Sequence, residues 1–140
     1  MPFTRLRYHF TTATKERKPL ITAEVEPIIH LAMCERAVEL GGVIMEINGT
    51  EDHQHFIAAV PPTIAIKTFV GQLKAESSKR VNASGIVDEK FQWQVGYGGF
   101  TLNPARLDEI FAYVREQKIR HRTGDLMPAY ERVARDSKTF

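Results

Sequence analysis

The strongest constraint on how this chain can fold is that its hydrophobic period keeps changing: apolar residues recur at every second position, then at every third or fourth, then at every second again. A period of two marks a half-buried strand and a period near 3.6 a helix, so short strands must share a core with the helices between them. In the segment Arg5 to Thr12, RLRYHFTT, the residues Leu6, Tyr8 and Phe10 alternate with Arg5, Arg7 and His9, as in a strand. After the basic turn Lys15 to Lys18 and Pro19, a helix is expected to begin near Pro27 and run through Ile28, Leu31, Cys34 and Val38 to Gly41 and Gly42. Val43 to Ile47 and His53 to Val60 read as strands joined by the turn-forming Asn48-Gly49-Thr50-Glu51-Asp52. Pro61 and Pro62 stop the second of these, Thr63 is the expected N-cap, and Ile66, Phe69, Val70 and Leu73 then recur at helical spacing as far as about Asn82. Phe91 to Leu102, FQWQVGYGGFTL, is expected to form an irregular strand whose Gly96, Gly98 and Gly99 allow a bulge or the close approach of another chain. Asn103 is expected to cap a last helix with Pro104 in its first turn and Leu107, Ile110, Phe111 and Val114 on one stripe.

The order strand, helix, strand, strand, helix, strand, helix belongs to the α+β class. It is the split βαβ sandwich of ferredoxin-like domains, an antiparallel sheet with two packing helices, plus an additional C-terminal helix. A chain of 140 residues has room for one core. Residues 1–124 are expected to form it, and residues 125–140 a tail of little periodicity. With 43% hydrophobic and 26% charged residues, the composition is that of a globular protein, and a net charge of +2 hints only mildly at an anionic partner. The single cysteine, Cys34, excludes an internal disulfide. No apolar run approaches bilayer length and no signal peptide or nucleotide-binding loop is evident, so a cytoplasmic protein with neither membrane nor nucleotide cofactor is expected.

Two features carry chemistry. In His53-Gln54-His55 the imidazoles stand two apart on a strand and project from one face, where both can reach one cation. Glu51 and Asp52 read as turn residues rather than ligands. On the last helix Tyr113 and Gln117 are one turn apart. At about 100° per residue the apolar stripe centres roughly 110° from Tyr113, so its hydroxyl is expected to look out over a basic flank carrying Arg106 and Arg120.

In combination these segments resemble the single-tyrosine transposases of the HUH nuclease superfamily, within them the group associated with repetitive extragenic palindromes. The resemblance extends to about Arg122. It rests on RLRYHFTT followed by a basic turn and KPLIT, on DHQHFIAAVPP, FVGQLKAESS, FQWQVGYGGFTL and LDEIFAYVREQ, in that order. It implies metal binding by His53, His55 and Gln117 and nucleophilic attack by Tyr113; two imidazoles and one amide leave about half of an octahedral shell open, consistent with Mg²⁺ or Mn²⁺. It also implies a 5′-phosphotyrosine intermediate, single-stranded DNA bearing a hairpin as substrate, and a homodimer. Lys67, Lys74, Arg106 and Arg120 are the leading candidates for phosphate contacts, and Trp93, Tyr97 and Phe100 offer stacking surfaces. Nearby cationic charge is expected to favour the Tyr113 phenolate.

One residue departs from the pattern. The position between the histidines, usually a bulky hydrophobe beneath the sheet, is Gln54, which must either find a hydrogen bond or distort the site. A domesticated DNA-binding protein that no longer cuts, and an RNA-recognition-type module using exposed aromatics on its central strands, are the alternative readings.

Overall fold

The computed structural model describes residues 3–133. Its regular elements are β1 (Arg7–Ala13), α1 (Val25–Glu39), β2 (Val43–Gly49), β3 (His53–Ala59), α2 (Ile66–Ala83), β4 (Gly98–Thr101), α3 (Leu107–Arg115) and α4 (Gln117–Thr123). Short 3-10 turns cover Lys15–Arg17, Pro104–Arg106 and Pro128–Glu131. The strands form a four-stranded sheet in the order β2-β3-β1-β4, with every neighbouring pair antiparallel. This is the ferredoxin-like α+β arrangement, with β1 central because its two neighbours are β3 and β4.

Alternation along the central strands separates two cores. Phe10, Phe56 and Ala58 point to one face, where they pack with Ile29 and Met33 of α1 and Phe69, Val70 and Leu73 of α2. Ile57 points to the other face and meets Ile110 and Val114 of α3. The apolar stripe read from the sequence therefore does bury, and it fastens the last helix against β2 and β3.

Several boundaries differ from expectation. α2 starts without a side-chain cap from Thr63, its N-cap position being Ala65. Asn103 does cap, its Oδ1 accepting from the Ala105 N–H at 3.0 Å, but the turn it caps is the 3-10 turn ahead of α3. Of the Phe91 to Leu102 segment only Gly98–Thr101 joins the sheet, with Trp93 bridging to Thr14. The Gln94 N–H donates to the Ala13 carbonyl at the end of β1 at 2.8 Å, the Trp93 indole N–H donates to Ser77 Oγ at 2.9 Å, and the Lys74 ammonium donates to the carbonyls of Gln94 and Gly96, so this stretch is tied to α2 as well as to the end of β1. The expected single last helix divides at Glu116, although the Glu116 N–H still reaches the Ala112 carbonyl and the Arg120 N–H the Glu116 carbonyl, each at 2.9 Å. No helix among the described residues is long and apolar enough to cross a membrane.

Candidate active site

The site lies on the sheet face that α3 covers. Ladder pairing sets Thr11 of β1 opposite His55 of β3 and Ala13 opposite His53. Alternation brings His53 and His55 to this face, and their ring centroids are 5.0 Å apart. Tyr113 of α3 lies against His55 with ring centroids 5.6 Å apart, so phenol and histidine pair meet within one chain.

The environment of Tyr113 corrects the helical-wheel expectation. Its ring is fully buried, and its hydroxyl donates to the Glu131 carboxylate while accepting from the Met127 N–H at 3.1 Å. A wheel considers one helix alone. Here the Pro128–Glu131 turn folds back over the flank that the wheel leaves in solvent. Arg120 does reach the ring, its guanidinium carbon 4.9 Å from the centroid, but Arg106 turns to Glu109 in a two-pronged ion pair. Burial, with the Glu131 hydrogen bond adding to it, pushes the phenol up to about 12, the reverse of the phenolate-favouring shift expected.

Glu131 is the point on which the imidazoles converge. Its carboxylate oxygens lie 3.2 Å from His53 Nε2, 2.9 Å from His55 Nε2 and 2.9 Å from His121 Nε2. Ligand atoms of His53, His55, His121 and Glu131 all fall within 4.8 Å of one another, so this group could hold a metal ion. Burial alone would raise the Glu131 carboxyl, but its contacts with His53 and His55 hold it well below the usual carboxylate range. Burial likewise opposes charge on His53, yet the Asp52 hydrogen bond and the Glu131 carboxylate outweigh it and raise this imidazole to about 9. His55 and His121 are lowered, in both cases chiefly by burial.

The far nitrogens determine which ones are left for a ligand. His53 Nδ1 lies 2.7 Å from Asp52 Oδ1, which can only accept, so this nitrogen carries the proton and Nε2 faces the cluster. Thr11 Oγ1 gives its hydrogen to the Tyr130 carbonyl at 2.6 Å and therefore presents a lone pair to His55 Nδ1 at 3.1 Å. A proton on His55 Nδ1 satisfies that contact and, at 2.9 Å, a lone pair on His9 Nε2. The Nε2 atoms of His53, His55 and His121 are buried and lack a hydrogen bond, being near the Glu131 oxygens in distance but misaligned with them. Imidazoles fixed through one nitrogen, with the other aimed at a shared point, are the donor set a divalent ion requires, so the residues fit the implied metal.

Gln117 is buried at the start of α4. Its Nε2 donates to the Tyr113 carbonyl at 3.0 Å, and its Oε1 is a buried acceptor without a partner. Gln54 meets the departure noted in the sequence by half: it faces α1, where its Oε1 accepts from His30 Nε2 at 2.7 Å, while its Nε2 is buried without a hydrogen-bond partner. Of the proposed phosphate contacts, Lys67 is exposed on α2, Lys74 is spent on the two loop carbonyls, Arg106 is paired with Glu109, and Arg120 is shared between Glu116, Asp125 and the Tyr113 ring. The stacking candidates turn inward: Tyr97 packs against Phe10 and Phe100 against Tyr130. Sequence reasoning missed His121, Glu131, Asp52, His9 and Thr11. His121 follows Gln117 at the same four-residue spacing by which Gln117 follows Tyr113, a signal that was available; Glu131 had none.

Residues 2–117 match the family described as transposase IS200 like. The chain belongs to the IS200-like transposase family. This makes it a transposase, an enzyme acting on DNA. The fold of this transposase is similar to that of a transposase candidate from Deinococcus radiodurans R1, with TM-score 0.68 and 22% identity over 83% of this chain and 93% of that one. It is also similar to a REP-associated tyrosine transposase bound to a REP hairpin, with TM-score 0.66 and 14% identity over 86% of this chain and 72% of that one. At these identities the likeness concerns the fold. Among curated proteins none matches the sequence.

Proposed function

We propose that this transposase cuts and rejoins single-stranded DNA at hairpin-bearing element ends, using Tyr113 as the nucleophile and a divalent cation, Mg²⁺ or Mn²⁺, held by His53 and His55. The observation that carries this reading is that the Tyr113 hydroxyl and the imidazole nitrogens meet at one carboxylate, that of Glu131. Nucleophile and ligands are thus within the reach of one small anionic group, which is the relation a phosphodiester requires. The family pattern gives a third ligand place to Gln117, whose Oε1 is free to accept.

When bound, the cation supplies positive charge to the phosphate and to the departing oxygen. The residues of the chain supply order. Asp52 and Thr11 hold the two imidazoles so that Nε2 of each faces inward. Arg120 lies over the ring of Tyr113, and its charge favours the phenolate once the Glu131 carboxylate no longer faces the hydroxyl. Attack forms a bond between the Tyr113 oxygen and phosphorus and breaks the bond to the 3′ oxygen, which leaves and takes up a proton as a 3′ hydroxyl. The 5′-phosphotyrosine keeps the energy of the broken bond, so attack by another 3′ hydroxyl rejoins DNA and releases Tyr113 without ATP. A homodimer is part of this reading, and the solution mass checks it. The open face that an RNA-recognition-type module requires is occupied here by α3, which weighs against that alternative.

The test is incubation of end-labelled hairpin-bearing single-stranded DNA with Mn²⁺ and wild type, Tyr113→Phe or His55→Ala protein. Cleavage and a denaturation-resistant protein–DNA adduct are expected in wild type alone. Equal cutting by Tyr113→Phe removes that residue from the mechanism.

A further inference from the structure

We propose that His121 and Glu131 are direct ligands of the cation, so that the metal centre of this chain gains a third imidazole and a carboxylate from beyond the part of the sequence that matches its family. The inference rests on the metal reading above and extends it. The family match ends at residue 117, and both residues lie past it, one on α4 and the other on the Pro128–Glu131 turn.

Three observations carry it. Two ligand atoms bound to one first-row ion at about 2.1 Å lie roughly 3.0 to 3.4 Å apart when adjacent. The three Nε2 to carboxylate separations, 2.9 to 3.2 Å, are close to that spacing for each imidazole separately. The three Nε2 atoms are buried near carboxylate oxygens yet make no aligned hydrogen bond, which is poor geometry for a proton shared along the line but no obstacle to a cation between them. His121 also lies against His53, ring centroids 4.4 Å apart, which brings an imidazole of α4 to the same point as the strand pair. Three imidazoles with one carboxylate are a donor set for first-row transition ions.

The experiment titrates metal-free full-length protein with Mn²⁺ alone, by calorimetry and by the loss of the free-ion electron paramagnetic resonance signal. His121→Gln, Glu131→Gln, His55→Ala and, as a control, Asp108→Asn on the exposed side of α3 are compared with wild type, and circular dichroism melts report folding. His121→Gln and Glu131→Gln are each expected to weaken Mn²⁺ binding about tenfold or more, with Asp108→Asn unchanged. If both variants bind within twofold of wild type while His55→Ala does not, the inference is overturned and the histidine-pair site stands. If wild type fails to bind, or His55→Ala binds as well as wild type, the metal reading itself falls. If Asp108→Asn weakens binding as much as Glu131→Gln, the effect is one of overall charge and the assignment of Glu131 is overturned.

Discussion

Gln54 shows how a polar residue is accommodated beneath a sheet. Its side chain is fully buried, its carbonyl oxygen is satisfied by a single partner, His30, on the adjacent helix, and its amide nitrogen is left without one. Burial holds the His30 imidazole below its ordinary value even with this bond, so the ring is a neutral donor near neutral pH. Replacing His30 with alanine strands the amide and is expected to cost roughly 1 to 3 kcal/mol. Adding Gln54→Leu to that variant should recover most of the loss, because the stranded group is then gone. Urea unfolding of both single variants and the double variant measures this, and simple additivity would show that the two side chains do not depend on each other. The same residue shows what could be read beforehand. The strand periodicity placed Gln54 on the face away from the histidines, but its partner lies 24 positions earlier, a separation at which no local pattern operates. Tyr113 was misread for a related reason, since what covers it arrives from Glu131, 18 positions later.

At the level of elements, the glycine-rich edge strand did invite a chain to approach closely, but the approaching chain is the protein's own. A Cβ on Gly98 would stand 2.1 Å from the Arg132 carbonyl oxygen, so the residues after the last 3-10 turn cross the strand where a side chain is missing. Gly124, at φ +77°, ends α4 in the left-handed region and turns the chain toward that crossing. Gly98→Ala, which replaces no residue of the site, is therefore expected to lift the segment around Arg132 off the strand and to loosen the Pro128–Glu131 turn with it. Hydrogen exchange should then speed at Met127, whose N–H is held by the Tyr113 hydroxyl, while the amides of β1 and β3 keep their protection. Unchanged exchange at Met127 would mean that the crossing does not hold the turn in place. The elements themselves were largely legible, because each strand and helix carries its own period. The break at Glu116 was not, since the apolar stripe runs through α3 and carries no mark of it.

For the molecule as a whole, the buried cluster makes the stability of the metal-free protein depend on pH in a definite sense. His53, raised from 6.5 to about 9, stabilises the fold fully below 6.5, and this contribution is lost as pH rises through about 9. Glu131, depressed from 4.5, contributes above that value and loses its contribution as pH falls below it. His9, lowered to about 3 by burial and by the neighbouring His55, remains neutral while the unfolded chain takes up a proton below 6.5, so it subtracts stability on the acid side. Because His30, His55 and His121 are lowered in the same sense as His9, metal-free protein should accordingly be most stable near pH 7 and weaken toward pH 9.5. Urea midpoints at the two pH values check this, and His53→Gln should flatten the alkaline limb. An alkaline limb equally steep in that variant would exclude His53 as its source. The overall architecture could be foreseen because it follows from the order of periods. The composition of the site could not, because it draws on β1, β3, α3, α4 and the final turn at once.

One small contact links these parts. The hydroxyl of Thr11 spends its only proton on the Tyr130 carbonyl and therefore offers His55 nothing but lone pairs. A backbone oxygen one residue before Glu131 thus decides which nitrogen of a strand imidazole is protonated. If that oxygen withdraws, the threonine is free to rotate and donate inward, and His55 can exchange its tautomer. The Pro128–Glu131 turn acts in this way as a latch on the protonation pattern of the sheet.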